Sequence, residues 1–345
     1  MVVLPPSDRM KKNDSRKDQN WPKDEFGRSE VFGQFWWWVF PIMALIAAVL
    51  FPLLQHGPRR NGTTVVVYCA QDRTYAEPVF KGFEKNTGIK VRAVYDNEAV
   101  KTVGLANRLL AESSHPQCDV FWGNEEMRTR QLAAKNLFTE TNAWISFGYR
   151  SRRIVFNTNK FSAASAPHSL HELTNENWRG KIALAYPQFG TTATYFHALR
   201  QLWGEDKWVA WCRALAANKP FLVDGNSAVV KFVGRGEALA GLTDSDDIAA
   251  ARREGLPVEA LPISDETLLI PNTVALIRNA PRPDAGQQLF EYLRTREVIE
   301  RLIKANALEG FESKDVTTPT LTVDWPRLLQ DLENTTAKLN ALFLR

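Results

Sequence analysis

The chain has 345 residues, 44% hydrophobic and 24% charged, with a formal net charge of +4. That length suits about two domains rather than one core, and the small charge, with no basic stripe interleaved with aromatics, argues against a nucleic-acid partner. Cys69, Cys118 and Cys212 lie far apart with no CxxC, which leaves no disulfide framework or zinc motif; they read as buried small hydrophobes.

Residues 1–34 are polar and charged and read as a disordered tail. From Val31 to Pro58 there is no Asp, Glu, Lys or Arg. Within that stretch, residues 35–54 form an apolar run of about 20 residues, long enough to cross the hydrocarbon core as a helix. Trp36, Trp37 and Trp38 cluster at one end, as an interfacial aromatic belt does. No small-x-small cleavage site follows, so the run reads as an uncleaved transmembrane anchor rather than a signal peptide. The flanking charges are ambiguous for orientation: seven Lys or Arg and six acids precede the run, and Arg59 and Arg60 follow it. Residues 55–63 read as a linker.

From Thr64 the pattern alternates strand and helix. Val65–Cys69 is a β-branched strand. Glu77–Asn86 carries apolar residues at helical spacing and stops at Gly88. Val91–Tyr95 is a second strand, Val100–Ala111 a helix, Asp119–Trp122 a third strand and Glu125–Lys135 a helix. Arg153–Asn157 is apolar and extended. Ile182–Ala185 and Phe221–Val223 read as strands, and Thr191–Leu202, Lys207–Ala217 and Ser227–Val233 as helices. Leu239–Thr243 is a strand that ends on the acidic run Asp244-Ser-Asp-Asp247. Pro271–Ile277 is another apolar run. Helices over Ala285–Leu293 and Glu297–Ile303 and one amphipathic helix over Trp325–Leu344 complete the chain. Such alternation implies parallel sheets with helices on both faces, and acids just past the carboxyl end of an apolar strand stand where open α/β sheets bind ligands.

Six segments in this order resemble one family: Phe83–Val91, Cys118–Glu125, Arg152–Asn159, Pro187–Ala193, Asp224–Asp247 and Ile270–Ile277. The resemblance is to ABC-transporter substrate-binding proteins of the ferric-iron type, covering about residues 64–330. It implies an α/β, two-lobed type II periplasmic-binding fold with mixed sheets and a two-strand hinge. The implied boundaries are residues 64–155 for the first part of lobe 1, 156–272 for lobe 2, and 273–345 for the return to lobe 1 with the C-terminal helices. Ser151–Asn157 and Leu269–Val274 would be the hinge strands.

The resemblance also implies a site. Where ferric-binding members carry a histidine ligand after the first strand, this chain has Asp72. Where they carry adjacent tyrosines, it has Asp246 and Asp247. Glu98 stands nearest a glutamate ligand of some members. Asp72, Glu98, Asp246 and Asp247 are therefore the expected metal ligands. The turn Gly190-Thr191-Thr192 and the helix start Asn226-Ser227 match positions that hold an anion beside the metal, and helix starts favour anions in general. Gln71, Asn124, Thr243 and Asp244 complete the expected ligand-binding set. Against these roles stand ordinary ones: helix capping by Asp244, Thr191 and Ser227, and solvated loops for the other acids. Converging carboxylates repel unless a cation neutralises them, and oxygen ligands suit hard cations.

The expected protein is thus the substrate-binding component of an ABC importer, anchored in the membrane with its C-terminal domain outside the cytoplasm. Its partners would be permease and ATPase subunits, a small ligand and the membrane, with no nucleic acid. It would hold no cofactor; a metal cation such as ferric iron, with a bound anion, would be its cargo. Alternatives are a polyamine, thiamine or phosphonate as ligand, or a sensing module, which a tail of about 30 residues is too short to serve. No catalytic residues are expected, since no G-x-S-x-G, P-loop or G-x-G-x-x-G is present. His168 and His171 form an H-x-x-H in a loop-like context and read as surface residues.

Overall fold

A computed structural model describes residues 63–96, 101–139, 144–263, 266–312, 316 and 319–344. The expected tail, the apolar run 35–54 and Glu98 lie outside them. Among the described residues, no helix is long and apolar enough to cross a membrane.

The first lobe is built from β1 (Thr64–Cys69), α1 (Arg73–Thr87), β2 (Lys90–Val94), α2 (Lys101–Ala111), β3 (Val120–Gly123) and α3 (Glu126–Ala134). β1 pairs in parallel with β2 and β3. The chain then enters β4 (Trp144–Asn157), which spans 14 residues. The second lobe follows: β5 (Ile182–Ala185), α4 (Gly190–Trp203), α5 (Glu205–Ala217), β6 (Phe221–Val223), α6 (Asn226–Arg235), β7 (Ala240–Asp244), α7 (Ser245–Arg253) and β8 (Val258–Leu261). β9 (Leu269–Leu276) returns to the first lobe, followed by α8 (Pro283–Leu293), α9 (Arg296–Lys304), α10 (Trp325–Gln330) and α11 (Leu332–Phe343).

β4 belongs to both sheets. Its first half, up to Ser151, pairs antiparallel with β9 in the order β2-β1-β3-β9-β4. Its second half, from Arg152, pairs with β7 on one side and β8 on the other, and β7 continues to β5 and β6. The two sheets are thus mixed and joined through one strand. The register shifts between Phe147 and Arg150. Gly148 sits in that shift at φ +57°, and a Cβ there would lie 2.4 Å from Leu308 Cδ1 and 3.2 Å from the Gly310 carbonyl. Only glycine combines that backbone with so close an approach.

Each sheet is covered on both faces, and the strands show why. Val65, Val67 and Cys69 face one core of the first lobe while Val66, Tyr68 and Ala70 face another. Ile182 and Leu184 likewise oppose Ala183 and Ala185 in the second lobe. The side-chain period of two puts alternate residues on opposite faces, and strands buried on both faces read as unbroken apolar runs. All three cysteines are buried and free.

Three expectations are corrected. The strand expected at Arg153 begins nine residues earlier, at Trp144. β8 was not expected as an element. The single helix expected over Trp325–Leu344 breaks at Asp331 into α10 and α11. α11 packs on the second lobe, where Leu339 and Phe343 join the core formed by Phe196, Leu199 and Trp211. α10 buries Leu328 against Met127 of α3 and Ala193 of α4, touching both lobes.

Candidate functional site

The cleft between the lobes collects the loops at the carboxyl ends of β1, β3, β5, β6 and β7, where α/β sheets expose their helix N-termini and bind ligands. Gln71, Asp72, Thr102 and Asn124 line it from the first lobe, and Gly190, Thr191, Thr192, Asn226, Asp244, Asp246 and Asp247 from the second. Arg150 lines it from β4. Hydrogen bonds already bridge the lobes here. Thr194 donates to the Glu125 carboxylate at 3.1 Å, and Arg253 donates to the Tyr75 hydroxyl at 2.8 Å.

Asp244 is the hub of the second-lobe wall. Its Oδ1 accepts from Arg152 Nη1 at 2.7 Å. Its Oδ2 accepts from Thr191 at 2.7 Å, Asn226 at 3.2 Å and Arg150 Nε at 3.3 Å. Asp244 precedes α7 but its side chain makes no cap hydrogen bond, which corrects the helix-capping reading: two buried guanidiniums outcompete the helix N–H groups. Thr191 is also no cap, since α4 begins at Gly190 and the hydroxyl is spent on Asp244. Burial alone would raise the Asp244 pKa, but Arg152, Arg150 and the Thr191 hydroxyl hold it below the usual carboxylate range.

Asp246 behaves in the opposite way. Arg150 Nε lies 3.3 Å from its Oδ1, yet burial, with Asp244 and Asp72 adding their like charges against Arg150, pushes its pKa up to about 7. Facing atoms of Asp244, Asp246 and Asp247 lie within 4.8 Å of one another. Asp72 stands at the start of α1 without a side-chain cap bond and lines the same cleft. Arg150 and Arg152 meet Asp244, and Arg150 also meets Asp246. Asp244 is saturated by its donors, and Asp72, Asp246 and Asp247 line the cleft beside it.

The helix starts lie on the same wall as Asp244 and are partly occupied. Asn226 donates to Thr191 Oγ1 at 2.8 Å, and Thr192 donates to Asn226 Oδ1 at 3.3 Å. What remains for an anion there is backbone N–H, which the first turn of a helix leaves unpaired. Gln71 Nε2 is a further donor: the residue is 1% exposed and this atom has no partner.

Of the residues expected from sequence, Gln71, Asp72, Asn124, Gly190, Thr191, Thr192, Asn226, Asp244, Asp246 and Asp247 line the one cleft. Thr243 lies behind it, donating to the Asn226 carbonyl at 3.1 Å, and Ser227 is in the first turn of α6 outside the lining. Sequence reasoning missed Thr102, Arg150 and Arg152. Residues 150 and 152 share one face of a strand, but the Asp244 carboxylate that both meet lies 94 and 92 residues further along the chain.

Two lobes joined by a shared strand, with the site at the facing carboxyl ends of their sheets, define a periplasmic-type binding protein. The chain belongs to the bacterial extracellular solute-binding protein family, which it matches over residues 65–305; this is a family of binding proteins. An Fe(3+)-binding periplasmic protein of Serratia marcescens is 31% identical over 196 residues, 52% of this chain and 56% of that protein. The chain thus spans little more than half the length of that relative. Iron-bound HitA of Pseudomonas aeruginosa shares the fold with a TM-score of 0.70 at 18% identity, covering 81% of this chain and 99% of that one. AfuA of Actinobacillus pleuropneumoniae, solved with fructose-6-phosphate, shares it with a TM-score of 0.72 at 19% identity, covering 82% and 99%.

Proposed function

We propose that the protein is the substrate-binding subunit of an ABC importer and captures a metal cation, ferric iron foremost, between its lobes. The observation that carries this reading is the convergence of carboxylates in the cleft. Asp72 from one lobe and Asp246 and Asp247 from the other line the same cleft, and facing atoms of Asp244, Asp246 and Asp247 lie within 4.8 Å of one another. A cation relieves the repulsion among them and can draw the lobes together about β4 and β9, which is capture by hinge closure. The iron-binding relatives support the same cargo. Gln71 Nε2 and the helix starts supply donors for an anion bound beside the cation. No covalent step is needed. The apolar run 35–54 would anchor the domain outside the cytoplasm, beside permease and ATPase subunits. If the protein in its own cells fractionates free of membrane, that anchor is wrong.

A second reading rests on those same donors: a phosphate-bearing or cationic organic solute, such as a phosphonate, thiamine or a polyamine. Calorimetric titration of the protein with ferric nitrilotriacetate, fructose 6-phosphate, spermidine and thiamine separates the two. Saturable uptake of iron alone supports the cation reading. Saturation by one of the organic solutes, with none by iron, overturns it.

A further inference from the structure

A second cavity, about 280 Å³, lies between α4, the start of α5 and the C-terminal α10 and α11. It sits seven residues along α4 from the cleft, roughly 10 Å at helical rise. His197, Arg200, Glu205, Arg327, Asp331 and Thr335 line it. His197 is 3% exposed, and neither of its ring nitrogens has a partner. Buried polar groups are normally satisfied, and leaving one unpaired costs free energy. An orphaned imidazole on the wall of a polar cavity therefore points to an occupant.

The surroundings define its chemistry. Arg200 Nε donates to Glu205 at 2.7 Å, its Nη1 to Thr335, and Lys338 pairs with the same Glu205. Arg200 and Arg327 line the cavity with Glu205 and Asp331, Lys338 stands behind Glu205, and Arg128 acts on His197 as well. Guanidiniums beside an unpartnered ring suit a small anion. Burial, with Arg128 and Arg200 adding, lowers the His197 pKa to about 3. The ring is neutral at physiological pH and offers one N–H donor and one acceptor. A carboxylate accepts from the N–H and from a guanidinium fork, and a neighbouring hydroxyl satisfies the other nitrogen.

We propose that this cavity is a second ligand site, distinct from the cleft, that binds a small monocarboxylate through His197 and Arg327. The test uses the full chain in detergent with ¹⁵N-labelled histidine. The sequence holds five histidines, and His197→Gln identifies the His197 ring signal. Lactate, acetate and inorganic phosphate are titrated separately. The expected result is a saturable shift of that signal with lactate and acetate. Arg327 is exposed, so Arg327→Ala should fold, and it should raise the lactate dissociation constant about tenfold to hundredfold, the scale of a charge-assisted contact. Asp247→Asn, which would weaken the cleft, should leave the lactate titration as it is, so failure of the cation reading does not touch this one. No saturable shift with either carboxylate, tighter binding of phosphate than of lactate, or unaltered lactate binding by Arg327→Ala would overturn the proposal.

Discussion

Arg152 of β4 and Asp244 of β7 face each other across the antiparallel ladder, and their side chains meet at 2.7 Å with both residues fully buried. Directly opposed residues share one face of a sheet, so the strand register itself places the guanidinium on the carboxylate. With Arg150 on the same carboxylate, the pair forms the inner wall of the cleft.

Removing one member of such a cluster leaves uncompensated buried charge. Asp244→Asn should destabilise the protein by about 3–5 kcal/mol. Asp244→Leu combined with Arg152→Leu should cost less than the sum of the single changes, because both charges then leave together. Urea unfolding of Asp244→Asn, the two single Leu variants and the double variant measures this. Additive costs would mean that the pair is not coupled.

Asp246 makes the ligand-free protein sensitive to pH. Unfolded, its carboxyl titrates at the ordinary 3.8; folded, it keeps its proton up to about 7. Between those values the folded state binds the extra proton, so its contribution is full below 3.8 and is lost as pH rises toward 7. Asp246→Asn should flatten that slope, and the variant should gain on the parent as pH rises from 4 to 7. Unfolding midpoints across this range check it; a constant difference between variant and parent would show that Asp246 ionises normally.

Asp247 is half-buried and lines the cleft. If the cargo is a cation, Asp247→Asn should raise its dissociation constant roughly tenfold to hundredfold. Binding should also weaken at low pH, where protons compete for the same oxygens. An organic anion would bind as well or better after the change, and metal titration beside anion titration distinguishes the two.

The last helix contributes to the core of the second lobe. Leu339 is fully buried among Phe196, Leu199 and Trp211, whereas Leu344 is 52% exposed. Leu339→Ala should cost about 2–5 kcal/mol by leaving a cavity. Leu344→Ala should stay within about 0.5 kcal/mol. Equal effects in thermal melts would show that α11 is not docked in solution.

The parts of the molecule that were legible in sequence share a cause. Val65–Cys69 and Ile182–Ala185 are buried on both faces, so their apolar runs carry little competing signal. Asp244, Asp246 and Asp247 stood out because they follow such a run. Arg150 and Arg152 did not, because charged residues before a strand read as solvated. Their burial depends on Asp244, 92 residues beyond Arg152, and no local pattern shows that partner. The early half of β4 was hidden by the same charges and by Gly148, whose purpose appears only once Leu308 and Gly310 are beside it.

The position of β9 sets an order of assembly during synthesis. It lies between β3 and β4 in the first sheet, yet it emerges from the ribosome only after β5 to β8 have been made. The amino-terminal lobe must therefore wait with a gap beside β3 while the strands of its neighbour emerge and pair. Chains are usually folded from the amino end as they emerge. Here the first segment translated is completed late, and for that interval the open edge of β3 is the place where a nascent chain is most exposed to pairing with the wrong strand.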